Sequence, residues 1–267
     1  MNIQEQLNIY QRENIEFRDS LKYASIIQNG ILPKKRHFQR TFDDFFVLYK
    51  PLSYVSGDFY WIAENEKYKY IAVGDCTGHG VAGALLSMLS ISDLNYLVLN
   101  KKLSDPSDIL KAFDKKLIET FVSEEDNDIF QNDWVDLAFV RIEKQSNLLT
   151  FCGARRKLLI VSKNKSLIIN GNRYPIGGWQ IEDHRSFDVF YSQLNKGDII
   201  YLGSDGYQDQ IGGIKDKKIG SKRLHNMLIE NSAFNCSKQR EILSNTLDDW
   251  TKTADQIDDI CILGIRI

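Results

Sequence analysis

The sequence predicts an α+β fold made mostly of sheet, and three observations predict it. Ten short runs of strand-like pattern follow one another after about residue 40. Helical stretches come in adjacent pairs between groups of those runs, which favours layered antiparallel hairpins over alternating βαβ units. One long proline-free helix stands ahead of them all.

That first helix covers residues 7–31, with Gly30 as its one glycine, and a heptad frame puts Leu7, Tyr10, Asn14, Phe17, Leu21, Ala24, Gln28 and Ile31 at the a and d positions. Six of the eight are apolar. So narrow a stripe suits a partner helix better than a globular core, and the polar Asn14 would fix the register, so a homodimer through this helix is expected. Pro33 and the basic Lys34-Lys35-Arg36 are expected to end it. The chain thus divides into a helical linker, 1–36, and a domain, 37–267. Strands are expected over 45–49, 55–62, 68–73, 134–142, 148–151, 157–161, 166–169, 187–191, 199–202 and 260–267. Between the third and fourth lie two helices, 81–99 and 106–121, the second opened by Ser104, Asp105 and Pro106 as cap and first turn. Two more, 221–230 and 237–253, precede the last strand. Glu124-Glu125-Asp126-Asn127-Asp128 reads as a solvated loop.

Composition narrows the chemistry. With 43% hydrophobic and 26% charged residues, the 267-residue chain can bury a substantial core. Its 34 basic and 36 acidic residues nearly cancel, which leaves no footprint for nucleic acid or an anionic membrane. The polar start Met1-Asn2-Ile3-Gln4-Glu5 is no signal peptide, and no apolar run is expected to span a bilayer, so a cytoplasmic chain without membrane contact is the expectation. Cys76, Cys152, Cys236 and Cys261 are scattered without a C-x-x-C pair, and His37, His79, His184 and His225 show no zinc spacing. Any metal chemistry must rest on oxygen ligands.

The richest stretch is Tyr70-Ile71-Ala72-Val73-Gly74-Asp75-Cys76-Thr77-Gly78-His79-Gly80-Val81-Ala82-Gly83. An apolar strand carries an aspartate to its tip, a glycine turn follows, and a helix begins. Gly78 to Gly83 satisfies G-x-G-x-x-G, yet a dinucleotide site needs a second parallel strand with an acidic end, and here one helix leads to another. The glycines instead suit a sharp turn and close packing of helix on sheet. Asp58 in Ser56-Gly57-Asp58, Asp205 in Ser204-Asp205-Gly206 and Asp258 in Ile257-Asp258-Asp259 repeat the pattern of an aspartate at a strand edge beside glycine or a second acid. Any one would pass for a turn residue. Four such acids without a matching cluster of bases suit magnesium or manganese. A pair of these ions can polarise a phosphoryl group and lower the pKa of a shared water, help that phosphate monoesters need. The competing chemistries fail on particular residues. Six positions after each cysteine stand Ala82, Leu158, Ile242 and Ile267, so there is no C-x5-R. The nearest D-x-D, Asp126-Asn127-Asp128, lies in the acidic loop, and no Walker lysine follows the glycine turn.

From about residue 42 to 267 the chain resembles the type 2C (PPM) metal-dependent protein serine/threonine phosphatases, in their bacterial SpoIIE and RsbU-like branch. The resemblance rests on Val55-Ser56-Gly57-Asp58-Phe59-Tyr60, Gly74-Asp75-Cys76-Thr77-Gly78-His79-Gly80, Asp136-Leu137-Ala138-Phe139, Gly153-Ala154, Pro175-Ile176-Gly177-Gly178, Ser204-Asp205-Gly206 and Asp258-Asp259, in the family's order. It implies a four-layer α-β-β-α sandwich of two antiparallel sheets flanked by helices, with two Mn2+ or Mg2+ ions at one end. Asp75 would bridge both ions, Asp58, Asp205 and Asp258 would each bind one, and the Cys76 carbonyl would complete the second site. The implied activity is hydrolysis of phosphoserine or phosphothreonine on a regulatory protein, such as an anti-sigma-factor antagonist, by a metal-activated water. The helix ending in Ile31-Leu32-Pro33 resembles the linker that joins such domains to an upstream sensor, where it is associated with dimerisation and switching. The chain departs from the wider superfamily in having Cys76 where glycine is common, and it offers no counterpart of the arginine that binds substrate phosphate in eukaryotic members. Asp259 stands as an alternative ligand to Asp258. His79 stands either as acid for the leaving group or in a structural role, Asp136 as a support that does not touch metal, and Arg155-Arg156-Lys157 either as a solvated turn, the reading preferred, or as a patch that faces a phosphoprotein.

Overall fold

The structure is a computed structural model that describes residues 3–121, 132–163, 165–178, 184–252 and 254–267, so the acidic segment 124–128 lies outside the described residues. With strands numbered in chain order, one antiparallel sheet runs β1 (Asp44–Lys50), β13 (Ile260–Arg266), β10 (Ile199–Gly203), β6 (Lys157–Ser162), β7 (Lys165–Asn170). The other runs β2 (Asp58–Glu64), β3 (Tyr68–Cys76), β4 (Trp134–Glu143), β5 (Leu148–Ala154), β9 (Val189–Gln193), with the short β8 (Ile176–Gly177) paired to the start of β4. A small hairpin, β11 (Ile211–Gly212) and β12 (Lys217–Lys218), stands apart.

Three apolar clusters define the layers. Between the sheets, Val73, Ala138 and Val140 meet Leu158, Ile200 and Leu263. Outside the second sheet, α3 (Gly80–Asn95) and α4 (Pro106–Phe121) lay Leu86, Leu94, Ile109 and Phe113 over Trp61 and Phe139. Outside the first, α6 (Ser221–Glu230) and α7 (Cys236–Trp250) cover Phe46, Leu159, Tyr201 and Ile262. The result is the expected α-β-β-α sandwich. Central strands are covered on both faces, which is why β3 and β4 read as continuous apolar runs rather than as alternating ones.

Two points differ from expectation. α1 (Ile3–Ile31) ends ahead of Pro33 as expected, but the basic run opens a further helix, α2 (Lys35–Thr41), that the sequence pattern does not show. The Lys34 amide donates to His37 Nδ1, closing the first turn of α2, and Phe38 is buried against the Phe45 ring, 5.1 Å between centroids. Proline just before a helix costs nothing, because the first-turn amides lack partners anyway. Nor is every apolar run short. α3 continues through a π-helical turn, Tyr96–Asn100, into a 21-residue helix, Gly80–Asn100, that by length and composition alone could cross a membrane. More than half of it is buried within the fold, where Gly83, Ala84, Ser87 and Ser90 allow close approach to the sheet and to α1.

The stripe on α1 divides in two. Its last turns dock on α3, with Leu21 and Ala24 half-buried and Gln28 buried; its earlier members Leu7, Tyr10 and Phe17 are exposed. Gln28 Nε2 donates to the Ser56 carbonyl at 2.6 Å and to Ser87 Oγ at 2.9 Å, and Gln28 Oε1 accepts from the Ser56 amide at 3.1 Å. A polar a position has thereby become a triple fastening between the linker helix, α3 and the segment that leads into Asp58.

Candidate metal centre

Strand register gathers the acids. In the β2–β3 pairing Asp58 stands directly opposite Asp75, and in β3–β4 Asp75 stands opposite Asp136. Directly opposed residues of antiparallel strands share a face with Cβ atoms roughly 5 Å apart. Three carboxylates therefore form a row across three neighbouring strands. Asp205 follows the tip of β10 and opens the short α5 (Gly206–Asp209), and Asp258 precedes β13, so the first sheet brings two more acids to the same end.

The glycines of these motifs serve close backbone packing. A Cβ on Gly57 would stand 2.9 Å from the Gly78 carbonyl oxygen, and one on Gly83 would stand 2.3 Å from it. The turn after Asp75 is thus pressed between the entry to β2 and the first turn of α3, with Gly78 and Gly80 at positive φ. Cys76 is buried at the end of β3, and its carbonyl oxygen lies 3.2 Å from where a Gly57 Cβ would be. Burial pushes its thiol well above the usual range, so it stays a neutral thiol.

Ser204 joins the sheets. Its hydroxyl donates to Asp58 Oδ2 at 2.5 Å and accepts from the Cys261 amide at 3.0 Å. Asp58 is fully buried, and burial first and the Asp75 charge second push its carboxyl well above the usual carboxylate range. Burial, reinforced by the Asp205, Asp258 and Asp136 charges and opposed by Arg156, pushes Asp75 up to about 7. Asp136 is raised as well, chiefly by burial, and so is Asp258, an exposed residue whose carboxyl is half-enclosed among the other acids and so partly desolvated.

The structure separates the adjacent acids 258 and 259. Buried Asp259 spends both oxygens on backbone amides, Oδ1 on Leu52 at 2.7 Å and Oδ2 on Gly57 at 2.8 Å, and so fixes the loop that delivers Asp58. Asp258 is exposed, with Oδ1 accepting its neighbour's amide at 2.8 Å, and is the freer of the two to meet a ligand. Replacing Asp259 by alanine strands two amides bonded to a charge, and should cost about 3 kcal/mol. Asp258→Ala should change stability by no more than about 0.5 kcal/mol. Paired thermal melts of the two variants test the division. His79 stands just ahead of α3, exposed, and its imidazole makes no capping hydrogen bond.

The solvated-turn reading of Arg156 is overturned. Its side chain is 11% exposed, and Nη2 reaches Asp75 Oδ2 at 2.5 Å, Asp205 Oδ2 at 3.0 Å and Asp136 Oδ2 at 3.2 Å. The acids therefore have a basic partner after all. Arg155 lies nearer the surface, 3.5 Å from Asp136 Oδ1 and over the Trp134 ring, and Lys157 is exposed as expected.

One guanidinium among Asp58, Asp75, Asp136, Asp205 and Asp258 leaves the centre short of positive charge, and Asp136 Oδ1 is buried without a hydrogen bond. Hard oxygen donors, excess negative charge and a buried carboxylate oxygen that accepts no hydrogen bond all fit a divalent cation. Among the described residues no three acidic, histidine or cysteine side chains are set to hold an ion as they stand. The point on which three carboxylates do converge is held by Arg156 Nη2.

Residues 65–267 match the family described as Stage II sporulation protein E (SpoIIE). Among solved structures, the SiaA-PP2C domain of Pseudomonas aeruginosa is 31% identical, with 96% of this chain and 98% of that chain covered and a TM-score of 0.84. The PP2C phosphatase domain of the cell fate determinant SpoIIE from Bacillus subtilis, solved with a fragment of its regulatory domain, is 17% identical over 84% of this chain and 63% of that one, with a TM-score of 0.64. RsbX in complex with magnesium is also 17% identical, over 84% of this chain and 94% of that one, with a TM-score of 0.55. A search among curated proteins finds no match.

Proposed function

The chain belongs to the SpoIIE family of PP2C-type protein phosphatases, and from that premise we propose that it removes phosphate from serine or threonine on a regulatory protein of the anti-sigma-factor-antagonist kind, as the cytoplasmic output domain of a larger bacterial sensor. The observation that carries the reading is the gathering of Asp58, Asp75, Asp136, Asp205 and Asp258 at one end of the sandwich, in a chain of a metal-dependent family. Asp75 is central to the row and would contact both of two Mn2+ or Mg2+ ions; Asp58, Asp205 and Asp258 would each hold one, with the Cys76 carbonyl completing a site. When bound, the ions supply the charge that polarises a phosphoryl group and makes water a stronger acid.

The chain's own residues prepare that centre. Ser204 fixes one oxygen of Asp58, and the other would serve a ligand. Asp259, through the Gly57 amide, holds the backbone on which Asp58 is mounted. Arg155 and Lys157 put positive charge at the rim, where a phosphoprotein would arrive. The purified chain should hydrolyse a phosphoserine peptide with manganese, and thorough chelation should remove at least about 99% of that rate, since charge stabilisation supplies most of the acceleration. Hydrolysis undiminished by chelation would refute the mechanism.

The exposed half of the α1 stripe supports a homodimer through the linker helix, while its docked half, fastened at Gln28, supports a regulatory role for that helix. Sedimentation of the full chain should give a dimer, and of a chain beginning at His37 a monomer. Two monomers would refute the dimer.

A further inference from the structure

Arg156 is built into its place. Arg155 sits at φ +57, and the turn is sealed by two glycines: a Cβ on Gly153 would stand 2.8 Å from the Arg156 carbonyl oxygen, and one on Gly171 would stand 2.6 Å from it. The Gly171 amide donates to that same oxygen at 2.9 Å. The backbone is therefore fixed while the side chain reaches into the acids.

The way it meets them is unusual for a permanent ion pair. A guanidinium held for structure presents its fork, with two nitrogens to two oxygens of one carboxylate. Here one nitrogen takes an oxygen from each of three aspartates, and Nε is buried with no partner. Three carboxylates closing on one positive point is the arrangement of a bound ion. A divalent ion held by the Asp75 and Asp205 oxygens would need them at about 2.0–2.1 Å, so nitrogen and ion cannot share the point. The side chain also has room to leave, because it borders a cavity of about 100 Å³ lined by Leu159, Tyr201, Gln208, Leu224 and His225.

We propose that Arg156 is an exchangeable internal cation, a positioning residue that holds Asp75, Asp136 and Asp205 together in the ion-free chain and is displaced when a divalent ion binds. This rests on the reading that Asp75 and Asp205 hold the ions, with Asp136 beside them. Its consequence is competition: the apparent metal affinity is the intrinsic affinity reduced by the fraction of chains in which the guanidinium is out. A residue that merely braced the site would weaken metal binding when removed; a competitor strengthens it.

The test is calorimetric titration of Mn2+ into the ion-free full chain and its variants, with circular dichroism to verify folding. Arg156→Gln should bind Mn2+ about tenfold tighter or more, as expected if the guanidinium is out in about one chain in ten. It should also melt earlier than the parent without metal and recover with it. Arg156→Lys, which keeps a charge but cannot span three carboxylates, should fall between and carries the test if the glutamine variant does not fold. Displacement itself is read by NMR: the Arg156 Nε–H signal, assigned by its absence in Arg156→Lys, should shift and begin exchanging with water as Mg2+ is added. Unchanged or weaker Mn2+ binding in the folded variants, or an Nε–H signal unmoved at saturating Mg2+, overturns the proposal. Intact Mn2+ binding in Asp75→Asn would overturn the underlying site reading instead.

Discussion

Asp75→Asn is expected to lower manganese-dependent hydrolysis by about 1,000-fold or more, and to leave the ion-free chain as stable as its parent or slightly more so. The two halves of this expectation share one cause. Asp75 has Asp58 opposite it on one side and Asp136 on the other, and like charges set directly across an antiparallel pair destabilise it. Its carboxyl is also largely buried, which adds a desolvation cost. Asparagine has the same shape and no charge and keeps an oxygen for Arg156 Nη2, whose charge Asp136 and Asp205 still balance, so it relieves the row by roughly 0.5–1 kcal/mol. Removing the central donor forfeits charge stabilisation of the transition state, where even a single misplaced donor commonly costs 100- to 1,000-fold. A site that destabilises its own fold in exchange for activity follows the usual trade-off. Steady-state kinetics and melts of the metal-free chains decide the matter. A variant that loses activity and also melts well below the parent would make Asp75 a structural residue.

How much of this was legible in the sequence depends on the range of the interaction. Strand tips, the glycine turn and the paired helices are local, and the pattern of 70–83 shows the aspartate, the turn and the helix start together. Register is not local. Whether Asp136 faces Asp75 is set by a pairing across some 60 residues, and a slip of one position would turn it to the other side of the sheet. Asp258 and Asp259 differ only in what lies against them, and the amides that claim Asp259 belong to Leu52 and Gly57, about 200 residues away in the chain. Arg156 was missed for a related reason. In Gly153-Ala154-Arg155-Arg156-Lys157 three bases at a strand junction look solvated, and nothing local shows that Gly171 closes over the turn. A signal did exist: five acids converging on one cleft demand a cation from the chain when no ion is bound, and a base beside a glycine at a strand end was the candidate. α2 escaped because a proline and three bases usually end a helix, and Phe38, which anchors it, finds its partners in later strands.

The glycine of Ser204-Asp205-Gly206 carries the second large effect, and it acts through packing rather than through a turn. Gly206 begins α5 with its Cα against the loop that bears the other acids: an added Cβ would stand 1.9 Å from the Asp259 carbonyl oxygen and 2.9 Å from its carbon. Neither neighbour can yield cheaply. Ser204, on one side, is tied through its amide to the Cys261 carbonyl at 2.9 Å and through its hydroxyl to Asp58; Asp259, on the other, is tied to Leu52 and Gly57. Gly206→Ala should therefore destabilise the chain by about 3 kcal/mol, at the upper end of overpacking costs. For a chain of this size that is a fall of roughly 6–12 °C in melting temperature. The push separates Asp205 from Asp258, so Mn2+ affinity should fall by about tenfold or more, as when the supports of metal ligands are disturbed. Gly30→Ala is the matched control. Gly30 lies within α1, an added Cβ meets nothing within 4 Å, and alanine there should stabilise by up to about 1 kcal/mol. Melts and manganese titrations of the two variants separate the effects. If Gly206→Ala behaves like Gly30→Ala, the two acid-bearing turns are not in contact, and the metal centre is not braced by this glycine.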